Sequence, residues 1–215
     1  TSYGTAKQPP MGTLLEVFGR DGSREAAVEA ILFEQHIERE FPPEVLEQAR
    51  TAPRSVDPAA WTGRLDLRDK CVITIDGAHS KDLDDAVSLE RDGAGNWVLG
   101  VHIADVSHYV PMGSPLDVEA WRRGTSVYFA DQVIPMLPPE LSNGICSLNP
   151  RVDRLTLSCI MTLSPDGAVT GHTLTKSVVC TTERMTYEDC NTLLAGTDPA
   201  LAARYGTILP MVDDM

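Results

Sequence analysis

Short hydrophobic strands interspersed with helices predict an α+β domain of mixed α/β character. Three features support this. The runs Val72-Ile73-Thr74-Ile75 and Ala86-Val87-Ser88-Leu89 read as buried strands. Leu155 to Leu163 and Val169 to Val179 flank the turn residues Ser164-Pro165-Asp166-Gly167 and read as a hairpin. Between the strands lie segments with helix spacing and capping residues.

The elements follow in order. Gly12 to Gly19 reads as a strand and turn. Ser23 to His36 is predicted as an amphipathic helix, with Ser23 as N-cap and Ala27, Ile31 and Leu32 on one side. Phe41-Pro42-Pro43 breaks it, Glu44 to Ala52 forms a second helix, and Pro53 to Pro58 is a loop. After the turn Asp92-Gly93-Ala94-Gly95-Asn96, Trp97 to Val106 is a strand. Pro115 to Arg123 is a helix, Ser126 to Phe129 a short strand, and Thr186 to Leu194 and Pro199 to Met215 are helices.

Composition bounds the function. The chain has 215 residues, 42% hydrophobic and 23% charged, as in ordinary soluble globular proteins. No run approaches the roughly 18 apolar residues of a membrane span, and no secretory signal begins the chain. Cys71, Cys146, Cys159, Cys180 and Cys190 are scattered without CxxC spacing. That suggests reduced thiols in a cytoplasmic protein rather than a disulfide frame or a zinc site. The net charge of −13 argues against a general nucleic-acid binder, which needs Lys and Arg for phosphate.

The chemistry is concentrated at Asp76, Asp82, Asp84 and Asp85. Carboxylates this close repel, and one of them should take up a proton unless a cation neutralises the group. Hard oxygen donors without Cys or paired His favour Mg²⁺, Mn²⁺ or Ca²⁺ over Zn²⁺. A helix–loop–helix calcium loop does not fit. Counted from Asp76, its glycine position holds Lys81 and its closing glutamate position holds Val87. Strands on both sides favour a mounted metal site over a solvated acidic loop.

The wording around the cluster carries a resemblance. Val72 to Val87 is similar to the first metal motif of the ribonuclease II/ribonuclease R family of 3′-to-5′ exoribonucleases. Gly100-Val101-His102-Ile103-Ala104-Asp105-Val106-Ser107-His108-Tyr109-Val110, Arg123-Gly124-Thr125-Ser126-Val127-Tyr128-Phe129 and Val133 to Gly144 also resemble words of that family. Cys146-Ser147-Leu148-Asn149-Pro150 and Asp153-Arg154-Leu155 continue the match. These words stand in the family's order over roughly residues 66 to 190, closest to its bacterial ribonuclease R branch.

The resemblance implies three parts: 1–20, the end of a cold-shock/OB-type RNA-binding barrel; 21–65, a helical connector; and 66–215, a ribonuclease II-type catalytic domain continuing past Met215. It implies a hydrolytic, processive, Mg²⁺-dependent exoribonuclease (Mn²⁺ would fit the same donors) that releases nucleoside 5′-monophosphates from single-stranded and structured RNA. Two ions about 3.5–4 Å apart would activate water and hold the leaving oxygen. Asp76 and Asp85 are expected as ligands of one ion. Asp84 is expected to serve catalysis through the second ion or its water, and Asp82 as a ligand or a supporting group. Tyr128 matches the tyrosine beside the 3′-terminal nucleotide. Arg154 is expected either to meet a phosphate or to brace the carboxylates. His102 and His108 are expected to be packed rather than ligating. No membrane and no organic cofactor is expected. The alternatives are an inactive RNA-binding scaffold of the same fold and a two-metal phosphohydrolase acting on a small nucleotide.

Overall fold

The structure is a computed structural model describing residues 4, 5, 7–9 and 11–214. Parts of the expected barrel end (residues 1–3, 6 and 10) and Met215 lie outside the described residues. The chain divides into two compact units, residues 1–41 and 42–215.

In the first unit, α1 (Arg24–Glu34) begins as expected at Ser23, whose hydroxyl accepts from the Ala26 amide at 3.2 Å. Phe18 packs its ring against Phe33, with centroids 5.3 Å apart. The strand expected over 12–19 is not formed. A strand needs a neighbour for its backbone groups, and none of the described residues 12–18 is paired with one.

The second unit opens with α2 (Pro43–Arg50) and a 3₁₀ turn at Pro58–Trp61. The strands β1 (Leu65–Asp66), β2 (Ile73–Asp76), β3 (Asp85–Arg91) and β4 (Trp97–Ala104) follow. Next come α3 (Val106–Tyr109), α4 (Pro115–Arg123), β5 (Val127–Tyr128), β6 (Val133–Ile134) and a π-helical segment, Glu140–Ile145. The chain continues through β7 (Asp153–Leu163), β8 (Val169–Cys180), β9 (Glu183–Thr186), α5 (Tyr187–Leu194), α6 (Pro199–Arg204) and α7 (Leu209–Asp214).

Seven strands form one mixed sheet in the order β1-β8-β7-β4-β3-β2-β9. Only the outer pairs, β1 with β8 and β2 with β9, are parallel. β5 and β6 make a separate ribbon. The β7–β8 turn closes as expected, with Gly167 at φ 84° and the Ser164 amide donating to the Ala168 carbonyl at 2.9 Å.

α4 has the predicted bounds because its ends are specified locally. Ser114 caps the Asp117 amide, Pro115 fits the first turn, and Gly124 takes φ 72° past the end. The long helix expected from Pro199 is instead two helices. Pro210 has no amide hydrogen to donate and would clash with the preceding turn of a continuous helix. The break lets Tyr205, Ile208, Met211 and Val212 pack with Ile73, Met185 and Leu193 in one buried cluster. Among the described residues no helix is long and apolar enough to cross a membrane.

Candidate active site

The β2–β3 connection carries the acidic residues at one end of the sheet. Asp76 is the last residue of β2 and Asp85 the first of β3. Asp82 and Asp84 lie on the loop between these strands. That loop has no regular structure, so other segments must hold it.

It is held at three places. Leu83 is fully buried, its amide donates to the Ser147 hydroxyl at 3.1 Å, and its carbonyl accepts from the Leu148 amide at 2.8 Å. The Ser147 hydroxyl in turn donates to the Lys81 carbonyl at 2.8 Å. At the other end, Arg184 of β9 directs one guanidinium nitrogen at three loop carbonyls. Those of Gly77 and Ala78 lie at 3.2 Å and that of Ser80 at 2.7 Å. Finally, the Tyr128 hydroxyl donates to Asp82 Oδ2 at 2.8 Å.

The electrostatics are those of a group short of positive charge. Partial loss of solvent around its carboxyl, then the charges of Asp82, Asp85 and Asp76, push Asp84, an exposed residue, up to about 6. Burial and the Asp85 charge also raise Asp76, against the pull of Arg184. Asp76 Oδ2 is buried with no hydrogen-bond partner. A carboxylate oxygen in that condition costs free energy unless something positive meets it. The donor set is all hard oxygen, and it suits a hard divalent cation. As they stand, no three His, Cys, Asp or Glu side chains among the described residues are gathered closely enough to enclose an ion.

Beside the cluster is a cleft of about 650 Å³ whose lining includes His79, Lys81, Asp82, Tyr128, Phe129 and Asn143. Tyr128 is 64% exposed at its wall, so its ring face is open to a ligand.

Arg154 takes neither expected part. It is buried, and its guanidinium donates to the carbonyls of Ser147 at 2.7 Å, Asp153 at 2.9 Å and Gly144 at 3.1 Å. It braces the segment that carries Ser147, by way of carbonyls rather than carboxylates. His102 is packed as expected, fully buried between the Ser88 and Ser158 hydroxyls at 3.0 and 2.7 Å. Burial lowers its ring to about 4 and keeps it neutral. His108 is exposed, edge-on to Tyr109.

Sequence reading missed the residues that hold the loop. Ser147 stood in a quoted motif without a role. Arg184 stood in none, because only the β2–β9 pairing, with Thr74 opposite Arg184, brings it near.

Comparisons with known proteins place the fold in a family. The RNB domain family model matches residues 64–209. Ribonuclease R 1 of Lactococcus lactis subsp. lactis is 52% identical over 194 residues, covering 90% of this chain and 24% of the relative. The chain therefore spans about a quarter of that relative's length. The solved Mycoplasma genitalium RNase R in complex with double-stranded RNA has a TM-score of 0.80 at 32% identity, covering 86% of this chain and 33% of that one. Yeast Ssd1, described as a pseudonuclease, shares the fold with a TM-score of 0.73 at 19% identity, covering 86% of this chain and 24% of its own. The family model covers well over half of the residues, including every strand that positions the acidic cluster, and the chain belongs to the RNB-domain family.

Proposed function

We propose that this chain is the metal-bearing part of a hydrolytic, processive 3′-to-5′ exoribonuclease. It would act on single-stranded RNA, including strands drawn from structured RNA, and release nucleoside 5′-monophosphates. The observation that carries the reading is the under-satisfied carboxylate cluster, with the orphaned Asp76 Oδ2, beside the exposed ring of Tyr128. Relatives named ribonuclease R and a neighbour solved with RNA support RNA as the substrate class.

In this reading Asp76 and Asp85, fixed at strand ends, are direct ligands of Mg²⁺, or of Mn²⁺, which suits the same donors. Asp84 serves catalysis, and Asp82 completes the donor set with its carboxylate oriented by the Tyr128 hydroxyl. When bound, the metal supplies Lewis-acid activation of water and stabilisation of the leaving oxygen. Tyr128 offers a face on which a 3′-terminal base stacks regardless of its identity, worth roughly 1–3 kcal/mol. Sequence-tolerant stacking suits an enzyme that degrades any RNA. Residues 1–20 belong to a cold-shock-type RNA-binding domain, 21–65 to a connector and 66–215 to the catalytic domain. Five free cysteines fit a cytoplasmic setting.

The yeast pseudonuclease shows that this fold also occurs without the activity, so the fold alone does not decide. The test is the full-length protein with 5′-labelled single-stranded RNA and Mg²⁺, comparing wild type with Asp84→Asn. Asp84 would serve catalysis through a second ion or its water, so its loss should cost at least the 10- to 100-fold typical of groups that merely support a ligand, and about 100-fold or more is expected. RNA binding should persist in the variant. Binding without cleavage in both proteins would make the RNA-binding scaffold the better reading.

A further inference from the structure

We propose that Arg184 is a positioning residue for the carboxylate site, acting through the loop backbone and not on substrate. This rests on the metal reading above. Three carbonyls of one loop, those of Gly77, Ala78 and Ser80, converge on a single guanidinium nitrogen. Carbonyl oxygens so gathered repel one another unless a positive group joins them. They are also the hard donors a divalent cation would take. Arg184 therefore does two things. It folds residues 77–80 back against the end of β2, where the Ser80 amide also donates to the Gly77 carbonyl at 3.0 Å. It also engages these carbonyls itself, so that the carboxylates remain the available donors for the ion.

Register explains why this position is suited. β9 runs parallel to β2, with Thr74 opposite Arg184 and Asp76 opposite Thr186. Arg184 therefore leaves the sheet on the same face as Asp76 and two residues before it. From there its charge also opposes the rise in the Asp76 carboxyl. At the far end Ser147 holds Lys81 and Leu83. The loop is thus gripped by Arg184 over residues 77–80 and by Ser147 at Lys81 and Leu83, on either side of Asp82, while the Asp84 carbonyl accepts from the Ala104 amide of β4 at 2.9 Å. Releasing the Arg184 grip frees the end that leads from Asp76 to Asp82 while the strands stay paired.

The test uses the full-length protein with Arg184→Met and with Arg184→Gln, which keeps an amide donor and loses the charge. Mn²⁺ binding is measured by calorimetry, and amide exchange of residues 77–83 is measured without metal. Arg184→Met should weaken Mn²⁺ binding about 10- to 100-fold, the range seen when a residue supporting a ligand is removed. It should speed exchange at Ser80 and leave β7–β8 protected. RNA turnover should fall while the KM for RNA stays near wild type, and Arg184→Gln should lie between. Unchanged Mn²⁺ affinity in Arg184→Met overturns the proposal. Should Arg184→Met also lose protection in β7–β8, Arg184→Gln decides: weaker Mn²⁺ binding with the sheet intact supports the proposal, and wild-type binding overturns it. Failure of the wild type itself to bind Mn²⁺ would overturn the metal reading and this proposal together, a result distinct from failure at Arg184 alone.

Discussion

Two polar regions share the same sheet and are built on opposite terms. At the β2–β3 end, four carboxylates share one loop and the strand ends that flank it. Asp82, Asp85 and Asp76 act on the Asp84 carboxyl through their charges, and Asp76 Oδ2 is buried without a partner. A few residues along, a buried seam crosses four strands with its polar groups paired. His102 of β4 bonds Ser88 of β3 and Ser158 of β7, and Ser158, Thr156 and Ser177 of β8 bond one another. The seam continues into Arg64, which donates to the Thr156 and Ser177 carbonyls and pairs with Asp105 at 2.6 Å. Burial alone would raise the Asp105 carboxyl, but the bonds from Arg64 and Ser107 hold it below its usual range. A polar cluster whose partners are complete holds a fold together. One whose partners are missing calls for a ligand.

The contrast can be broken by mutation. The largest effect is expected at the buried ion pair, whose side chains are only 6% and 4% exposed. Arg64→Met strands the Asp105 charge and should cost about 3–5 kcal/mol of stability, read from the urea midpoint. His102→Ala removes a buried ring and leaves the Ser88 hydroxyl without its partner while Ser158 keeps those on β7 and β8, for a loss of about 2–4 kcal/mol. The same histidine gives a pH signature. Its folded value of about 4 lies below its ordinary 6.5. The unfolded chain therefore binds a proton that the folded chain refuses. Stability should fall as pH drops from about 6.5 to about 4, by about 3 kcal/mol from this group. A urea series across that range should show the slope in wild type and lose that component in His102→Ala.

Gly100→Ala comes next. A Cβ at Gly100 would collide with Ser88 Oγ and His102 Nε2, so about 1–3 kcal/mol of overpacking is expected, seen as faster exchange of β3 and β4 amides. The smallest effect has the opposite sign. Asp84 is raised from 3.8 to about 6, so its favourable contribution is present below about 3.8 and is lost as pH rises through 6. With chelator at pH 7, Asp84→Asn should melt slightly higher than wild type. Adding Mn²⁺ should reverse that order by stabilising wild type more. A variant that melts lower in chelator would place Asp84 among the structural groups.

What could be read in the sequence was what is encoded locally. The acidic run, its flanking strands, the Ser164–Gly167 hairpin and the Ser114–Gly124 limits of α4 each depend on neighbours in sequence. The Tyr128 position followed from the family resemblance, and its hydrogen bond to Asp82 spans 46 residues. β9, Ser147 and Arg184 could not be read, because their roles exist only once distant strands pair. Glu183 to Thr186 carries charged side chains at a sheet edge, with no strand pattern of its own. Arg154 misled for a related reason: an arginine after a Pro-containing turn invites a phosphate, yet local carbonyls take up its guanidinium. The break between α6 and α7 was marked by Pro210, a signal that was present and passed over.

The most direct test is a calorimetric Mn²⁺ titration of the full-length protein at pH 7, comparing wild type with Asp84→Asn and with His102→Ala. Expected is saturable binding to wild type and His102→Ala, and binding at least about 10-fold weaker in Asp84→Asn. The same weak, unsaturated isotherm in wild type and Asp84→Asn would contradict the claim that the under-satisfied carboxylates are the site of a cation.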